Sequence, residues 1–337
     1  MKAAFFGGDE RVEVREIEKP APGDDQVLVK VSACAICGSD LLGHLGPEHD
    51  FHRGGHELGG VVEEVGQNVT AFQTGDLVAG ITSLPCRVCP ECRRGDEAHC
   101  SHVRGAGTPG FSEYVCSEAD FFMKCDGLSP AEVALAEPLT VSIDLLNDVE
   151  LRFGGSVAVI GVGPIGVMAL QLCKLRGAGR IYAVDVSTAA GRLAAAQRLG
   201  ADEVVEADTE DVGERVRASC PGGVDSIIIT AKPTQVMADA VAIAAKGATL
   251  AFCGSERGSP FTLTFDVNLF HYGKLTLRGS NHNPNGRLFP QSVELLRTKA
   301  IDASMIVTHR FPLSDIQHAF DEVVHNKREV LKAIVIP

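Results

Sequence analysis

Residues 156–185 read SVAVIGVGPIGVMALQLCKLRGAGRIYAVD. The apolar, largely β-branched run 157–160 predicts a buried strand. Gly161, Gly163 and Gly166 follow in the spacing G-x-G-x-x-G, and Pro164 suits the first turn of a helix, where a missing N–H costs nothing. The apolar run that begins at Ile165 continues that helix to residue 175, until Gly177 and Gly179 stop it. A second strand at 181–184 ends in Asp185, 19 residues beyond Gly166. Strand, glycine turn, helix, strand and acid in this order suit a dinucleotide. Gly161 makes the tight turn, Gly163 lets a pyrophosphate approach the backbone, and Gly166 lets the helix pack closely on the strand. The helix that starts at Pro164 offers free N–H groups from Ile165 onward, and the positive end of its dipole, to the phosphates. Asp185 would accept hydrogen bonds from the adenosine ribose and repel a 2′-phosphate, so NAD is expected rather than NADP.

The same alternation continues downstream. Helices are expected at 188–199, 210–219 and 234–245, with strands at 203–205, 224–230 and 248–253. A strand at 275–277 would complete a six-stranded parallel sheet. Upstream the texture is different. Short alternating or β-branched runs recur at 2–6, 11–17, 27–31, 58–65 and 76–81, separated by turn signals such as Pro20-Ala21-Pro22-Gly23-Asp24. Beyond the parallel sheet, 291–299 and 314–324 read as helices and 333–336 as a final strand.

Bulk properties narrow the class. A chain of 337 residues exceeds one average domain, so two are expected. Hydrophobic content of 45% with 22% charged residues describes a globular fold. A net charge of −13 argues against nucleic acid or an anionic membrane as partner. The longest apolar stretch, 157–172, is broken by Gly and Pro and already read as strand, turn and helix, so no membrane span is expected. The start of the chain, Met1-Lys2-Ala3-Ala4-Phe5-Phe6-Gly7-Gly8-Asp9, lacks a signal-peptide pattern. With an odd count of 11 cysteines, this points to a reducing, cytoplasmic setting and to metal thiolates rather than disulfides.

Two groups of metal-ligand residues lie in the β-rich part. Cys86, Cys89, Cys92 and Cys100 are spaced C-x2-C-x2-C-x7-C among Pro85, Pro90 and Gly95. Four thiolates so close together suit a closed tetrahedral structural zinc, which would order a loop with little core of its own. The spacing also permits an iron–sulfur cluster, but no electron-transfer machinery accompanies it. His99 and His102 adjoin this lobe as surplus, solvated residues. The second group is sparser: Cys37 in Ile36-Cys37-Gly38-Ser39-Asp40, and His56 with Glu57 in Gly55-His56-Glu57. Spacing alone says little about it.

These motifs together resemble the zinc-dependent medium-chain dehydrogenases, which include alcohol, polyol and threonine dehydrogenases. The likeness rests on Cys37-Gly38-Ser39-Asp40, Gly55-His56-Glu57 with Gly59 and Gly60, the Gly66 to Gly75-Asp76 spacing, the four-cysteine lobe, Glu137-Pro138-Leu139, the glycine turn with Asp185, and Gly279-Ser280. It implies an α/β protein in which a GroES-like, mostly-β catalytic domain (1–147 and 281–337, with the zinc lobe at 86–100) is interrupted by a Rossmann NAD-binding domain (148–280), the active site lying in the cleft between them. By the same resemblance Cys37 and His56 hold a catalytic zinc and an acid, Glu57 or Glu137, takes the remaining protein position, giving two zincs per chain. The site needs an open zinc position to polarise a substrate hydroxyl before hydride leaves for the nicotinamide. Ser39 is the hydroxyl expected to take the alcohol proton. One departure stands out: where similar enzymes often carry a histidine ending the proton relay, this chain has Leu42, leaving His44 or water to replace it.

The resemblance further implies a homo-oligomer, a tetramer more than a dimer. Polar residues on loops expected near the site (His44, His49, His52, Arg53, Asn281, His282 and Asn283) favour a secondary alcohol of a sugar, polyol or cyclitol as the small-molecule substrate. Arg53 could also meet a substrate carboxylate or phosphate. The alternatives are an amino-alcohol substrate of the threonine type, or a non-catalytic NAD-binding redox sensor that would keep only the lobe metal.

Overall fold

The computed structural model describes residues 1–254, 261–326 and 328–337. They form two compact units, Met1–Thr140 with His282–Pro337, and Val141–Asn281.

In the second unit the expected doubly wound sheet is present. Among the described residues it has six parallel strands in the spatial order Glu203–Glu206, Arg180–Asp185, Ser156–Ile160, Val224–Ile229, Ala244–Phe252 and Thr276–Gly279. Strand order reverses between Ser156–Ile160 and Val224–Ile229, the switch point outside whose carboxyl ends sheets of this class bind their ligands. The strands are buried on both faces, as parallel strands covered by helices must be; Val157, Ala158, Val159, Ile227 and Ile228 are wholly inaccessible. Helix Pro164–Leu175 starts at Gly163 and gives way at Arg176 to Gly177, whose φ of +86° is where a side chain would be strained. Helix Ala190–Leu199 ends likewise at Gly200. The helix expected to reach residue 245 stops at Ile243, because Ala244 is already extended and paired with Val224.

The first unit is built on a mixed sheet centred on strand Gln26–Ala35. That strand pairs antiparallel with Glu57–Val65, with Tyr114–Glu118 and with the terminal strand Lys332–Ile336, which in turn lies parallel to Val307–Pro312. Ala35 faces Glu57 on one side and Ile334 on the other. Val27, Val29, Val31, Leu58, Val62, Phe111 and Phe320 form the core of this unit. Sequence patterning ends the central strand at residue 31, whereas it runs to Ala35: Ser32, Ala33, Cys34 and Ala35 have little intrinsic strand preference, and neighbours on both sides hold them extended. The pattern also leaves Val307–Pro312 unassigned, a polar edge strand defined by its single partner, and helix Ala136–Asp148, whose Pro138 falls in the first turn where it is tolerated. No helix among the described residues is long and apolar enough to cross a membrane.

The glycine turn of the second unit is built without slack. Gly161 has φ +91°, and a Cβ at Gly166 would stand 2.0 Å from the Gly161 carbonyl oxygen. Gly166→Ala must therefore push helix from strand; we expect a loss of about 1–3 kcal/mol in urea unfolding, with weakened binding of the reduced coenzyme followed by its fluorescence.

Candidate active site

Cys37 stands two residues beyond the end of strand Gln26–Ala35 and caps helix Gly38–His44. Its N–H donates to Asp40 Oδ2 at 2.9 Å. The loop before strand Glu57–Val65 is pinned by two backbone bonds, Gly110 N–H to Gly55 O at 2.9 Å and Phe111 N–H to Gly54 O at 3.1 Å. This delivers His56 beside the same helix, its Nδ1 at 3.5 Å from Asp40 Oδ1. Glu57, opposite Ala35 in the ladder, is buried at 1% exposure. The ligand atoms of Cys37, His56 and Glu57 lie within 4.8 Å of one another.

Electrostatics identify what this cluster is suited to hold. Burial opposes a charge on His56, but hydrogen bonds to Asp40 and Cys37 outweigh it and push the ring up to about 12. An environment that pulls a proton so strongly onto an imidazole will take a metal cation in its place, and a thiolate, an imidazole and a carboxylate are a fitting zinc donor set. Asp40 on Nδ1 is then the partner that orients a ligating histidine. Burial raises the Glu57 carboxyl, and Lys332 opposes it with an ion pair to Oε2. Lys332 is itself 3% exposed; burial lowers its pKa, yet Glu57 and Cys37 outweigh that and hold the ammonium charged.

Glu137 is not part of this cluster. It is buried, and its Oε1 accepts from Asn285 Nδ2 at 3.0 Å and Thr82 Oγ1 at 3.3 Å, with His282 Nε2 at 3.4 Å. Burial raises its pKa, but His282 and His56 outweigh this and bring it below the usual value. Ser39 is exposed on the first turn of its helix. His44 closes the same helix, but its ring is buried at 1% exposure, 4.9 Å from Phe320, and among the described residues neither nitrogen has a hydrogen-bond partner. Sequence reasoning missed Lys332 and Asn285 as neighbours of the site. Lys332 left one signal, a cation at the edge of the apolar run Ala333-Ile334-Val335-Ile336; Asn285 left none.

The second cysteine group is also assembled. The four sulfurs of Cys86, Cys89, Cys92 and Cys100 lie within 4.8 Å of one another, in a lobe between the paired strands Ser83–Leu84 and Arg104–Gly105. Backbone N–H groups of Cys86, Cys89 and Cys92 point at sulfurs of Cys100, Cys86 and Cys89, at 3.3, 3.3 and 3.5 Å. The Cys92 N–H brings the Cys89 thiol down to about 6. Four cysteine sulfurs gathered in this way are the donor set of a structural zinc. His99 is exposed and bonded to Asp96, and exposed His102 is bonded to Ser101.

In the second unit, Thr230 Oγ1 ties the turn by donating to Gly161 O at 2.6 Å. A Cβ at Gly163 would meet open space, with Arg192 Nη1 nearest at 3.9 Å, as a cradle for phosphate requires. Asp185 Oδ2 accepts from Val162 N–H and Oδ1 from Val186 N–H, both at 2.8 Å.

Comparison with known proteins agrees with this geometry. Residues 23–127 match the alcohol dehydrogenase GroES-like domain and residues 164–298 the zinc-binding dehydrogenase family. The chain is 32% identical to sorbitol dehydrogenase of Bacillus subtilis, covering 100% of this chain and 97% of that protein. It is 33% identical to L-threonine 3-dehydrogenase of Bacillus velezensis, with 96% and 95% covered. A zinc-binding dehydrogenase of Sinorhizobium meliloti 1021 bound to NADP superposes with a TM-score of 0.89 at 27% identity, over 100% and 99% of the two chains.

The Lys332–Glu57 pair makes a sharp expectation. Lys332→Met should lower stability in urea by about 3–5 kcal/mol, because it strands a buried carboxylate. Adding Glu57→Leu to that variant should recover much of the loss.

Proposed function

Because this chain belongs to the zinc-dependent medium-chain dehydrogenases, we propose that it transfers a hydride between NAD and a secondary alcohol of a sugar, polyol or cyclitol. Membership makes it a zinc-dependent alcohol or polyol oxidoreductase using a nicotinamide cofactor. The observation that carries the reading is the convergence of Cys37, His56 and Glu57 within 4.8 Å, since a redox sensor would need the dinucleotide unit alone.

Cys37, His56 and Glu57 are the residues we assign to a catalytic zinc, and the four lobe cysteines to a structural one, two per chain. Glu57 is favoured over Glu137 because its carboxylate stands with the other two ligand atoms, whereas Glu137 Oε1 is engaged by Asn285, Thr82 and His282. Bound there, zinc supplies Lewis acidity that lowers the pKa of a substrate hydroxyl. Ser39, exposed two residues beyond Cys37, takes the released proton and passes it on. His44 faces Phe320 rather than a relay, so water carries the proton onward in place of the histidine absent at Leu42.

For the coenzyme, Gly161, Gly163, Pro164, Ile165 and Gly166 cradle the pyrophosphate, and Asp185 selects NAD. Its carboxylate is fixed across the turn by Val162 N–H, with lone pairs left for ribose hydroxyls and charge set against a 2′-phosphate. Arg192 stands beside Gly163 with Asp185 as the charge facing it, and we assign it to the phosphates common to both coenzymes.

Turnover of a panel of polyols, cyclitols and threonine, read as NADH absorbance beside zinc content, tests the whole assignment. Threonine belongs there because a relative of similar identity is named for it. Activity on threonine alone, or one zinc per chain, would overturn the polyol reading or the two-site reading respectively. Asp185→Ser should lower kcat/KM for NAD and raise it relatively for NADP. Ser39→Ala should keep its zinc while slowing alcohol oxidation about 10²–10⁴-fold, whereas the pH–rate profile of His44→Ala should run parallel to that of the parent.

A further inference from the structure

The reaction assigned above leaves Arg53 without a task. It lies three residues before His56 in the short strand His52–Arg53, which pairs with Phe5 and Phe6. Most arginines with a salt bridge in this protein sit at the surface facing a carboxylate: Arg104 with Glu118, Arg278 with Glu150 and Arg297 with Glu294 are examples. Arg53 differs. Among the described residues no carboxylate pairs with it, and its hydrogen bond runs from Nη2 to Ser112 Oγ at 3.1 Å. Its Nε is buried with no partner. Ser112 is itself wholly buried, its hydroxyl anchored by the Pro109 and Tyr114 carbonyls at 2.8 and 3.0 Å. A rigid neutral acceptor thus aims a guanidinium whose charge is unmatched.

Arg53 lines a cavity of about 320 Å³, together with Asp40, His56, Thr82 and Thr108. The volume is at the small end of ligand sites, enough for a six-carbon polyol derivative. Asp40 in the same wall is already engaged by the Cys37 N–H and by His56. Arg53 is the cation of this wall still open to a partner. A partly desolvated charge without a counterion is costly, and the planar fork of an arginine matches the oxygens of a carboxylate or phosphate.

We propose that Arg53 determines specificity by binding an oxyanion on the substrate, so that the polyol carries a carboxylate or phosphate at the end remote from the oxidised hydroxyl. The hydroxyl lies at the His56 side of the cavity and the oxyanion at Arg53. This rests on the polyol-dehydrogenase reading and narrows it.

The test uses the zinc-loaded protein and three six-carbon probes of matched stereochemistry: a neutral hexitol, its hexonate and its terminal phosphate. Steady-state kinetics with NAD are paired with calorimetric titration of each probe in the presence of NADH, where no oxidation occurs. Charge-assisted hydrogen bonds of this kind correspond to about a 10- to 100-fold preference. The parent protein should prefer one anionic probe over the hexitol by that factor, and which one it is separates carboxylate from phosphate. Arg53→Gln should erase the preference, mainly through KM and in parallel through Kd, and Arg53→Lys should recover part of it. A hexitol used or bound as well as either anion overturns the proposal while leaving the polyol reading standing. Equal losses on neutral and anionic probes in Arg53→Gln overturn it too, since they indicate a structural role. Oxidation of threonine with no binding of any of the three probes overturns both.

Discussion

The catalytic unit depends on the register of one strand. Gln26–Ala35 is paired on both sides, and Ala35 meets Glu57 and Ile334 across its two edges. Cys37 follows that strand, His56 and Glu57 open the second and Lys332 begins the third, so three distant stretches of chain deliver their chemistry to one end of the sheet. A slip by one residue would turn each of these side chains to the opposite face. The apolar core beneath, with Val27, Val29, Val31 and Leu58, excludes that slip.

Gathering so many charges in a buried place has a cost that the structure meets by matching. Glu57 is answered by Lys332, and Asp40 by the Cys37 N–H and His56. Such pairs do not of themselves add stability, since taking two ions out of water offsets their attraction. What they add here is definition: each carboxylate is held in one place, and the charge left to be balanced is that of Asp40 and Cys37 beside His56. The raised pKa of His56 records that imbalance, and a zinc cation would correct it.

The coenzyme unit obeys a different constraint, close backbone approach. A side chain at Gly166 would strike the Gly161 carbonyl and one at Gly161 would strike Ala231, and Thr230 locks the turn from the end of the neighbouring strand. The next strand then presents Asp185 across the turn, bonded to Val162. All of this is local, closed within one β-α-β segment and its immediate neighbour, and it is the turn assigned above to the coenzyme.

That difference in range explains what was legible. From residues alone one could read the glycine turn, the alternation of strands and helices after it, the parallel sheet, and the four-cysteine lobe, because each is encoded by spacing within a short window. The motifs at Cys37 and His56 were recognisable as family features but not as one site. Only tertiary structure decided that Glu57 joins them while Glu137 is drawn to Asn285 and His282, and that Lys332 lies against Glu57. It likewise turned His44 into the core against Phe320 and left Arg53 without a counterion among the described residues. The physical reason is that strand register and burial are settled by contacts between residues far apart in sequence. No local pattern in a single chain carries that information.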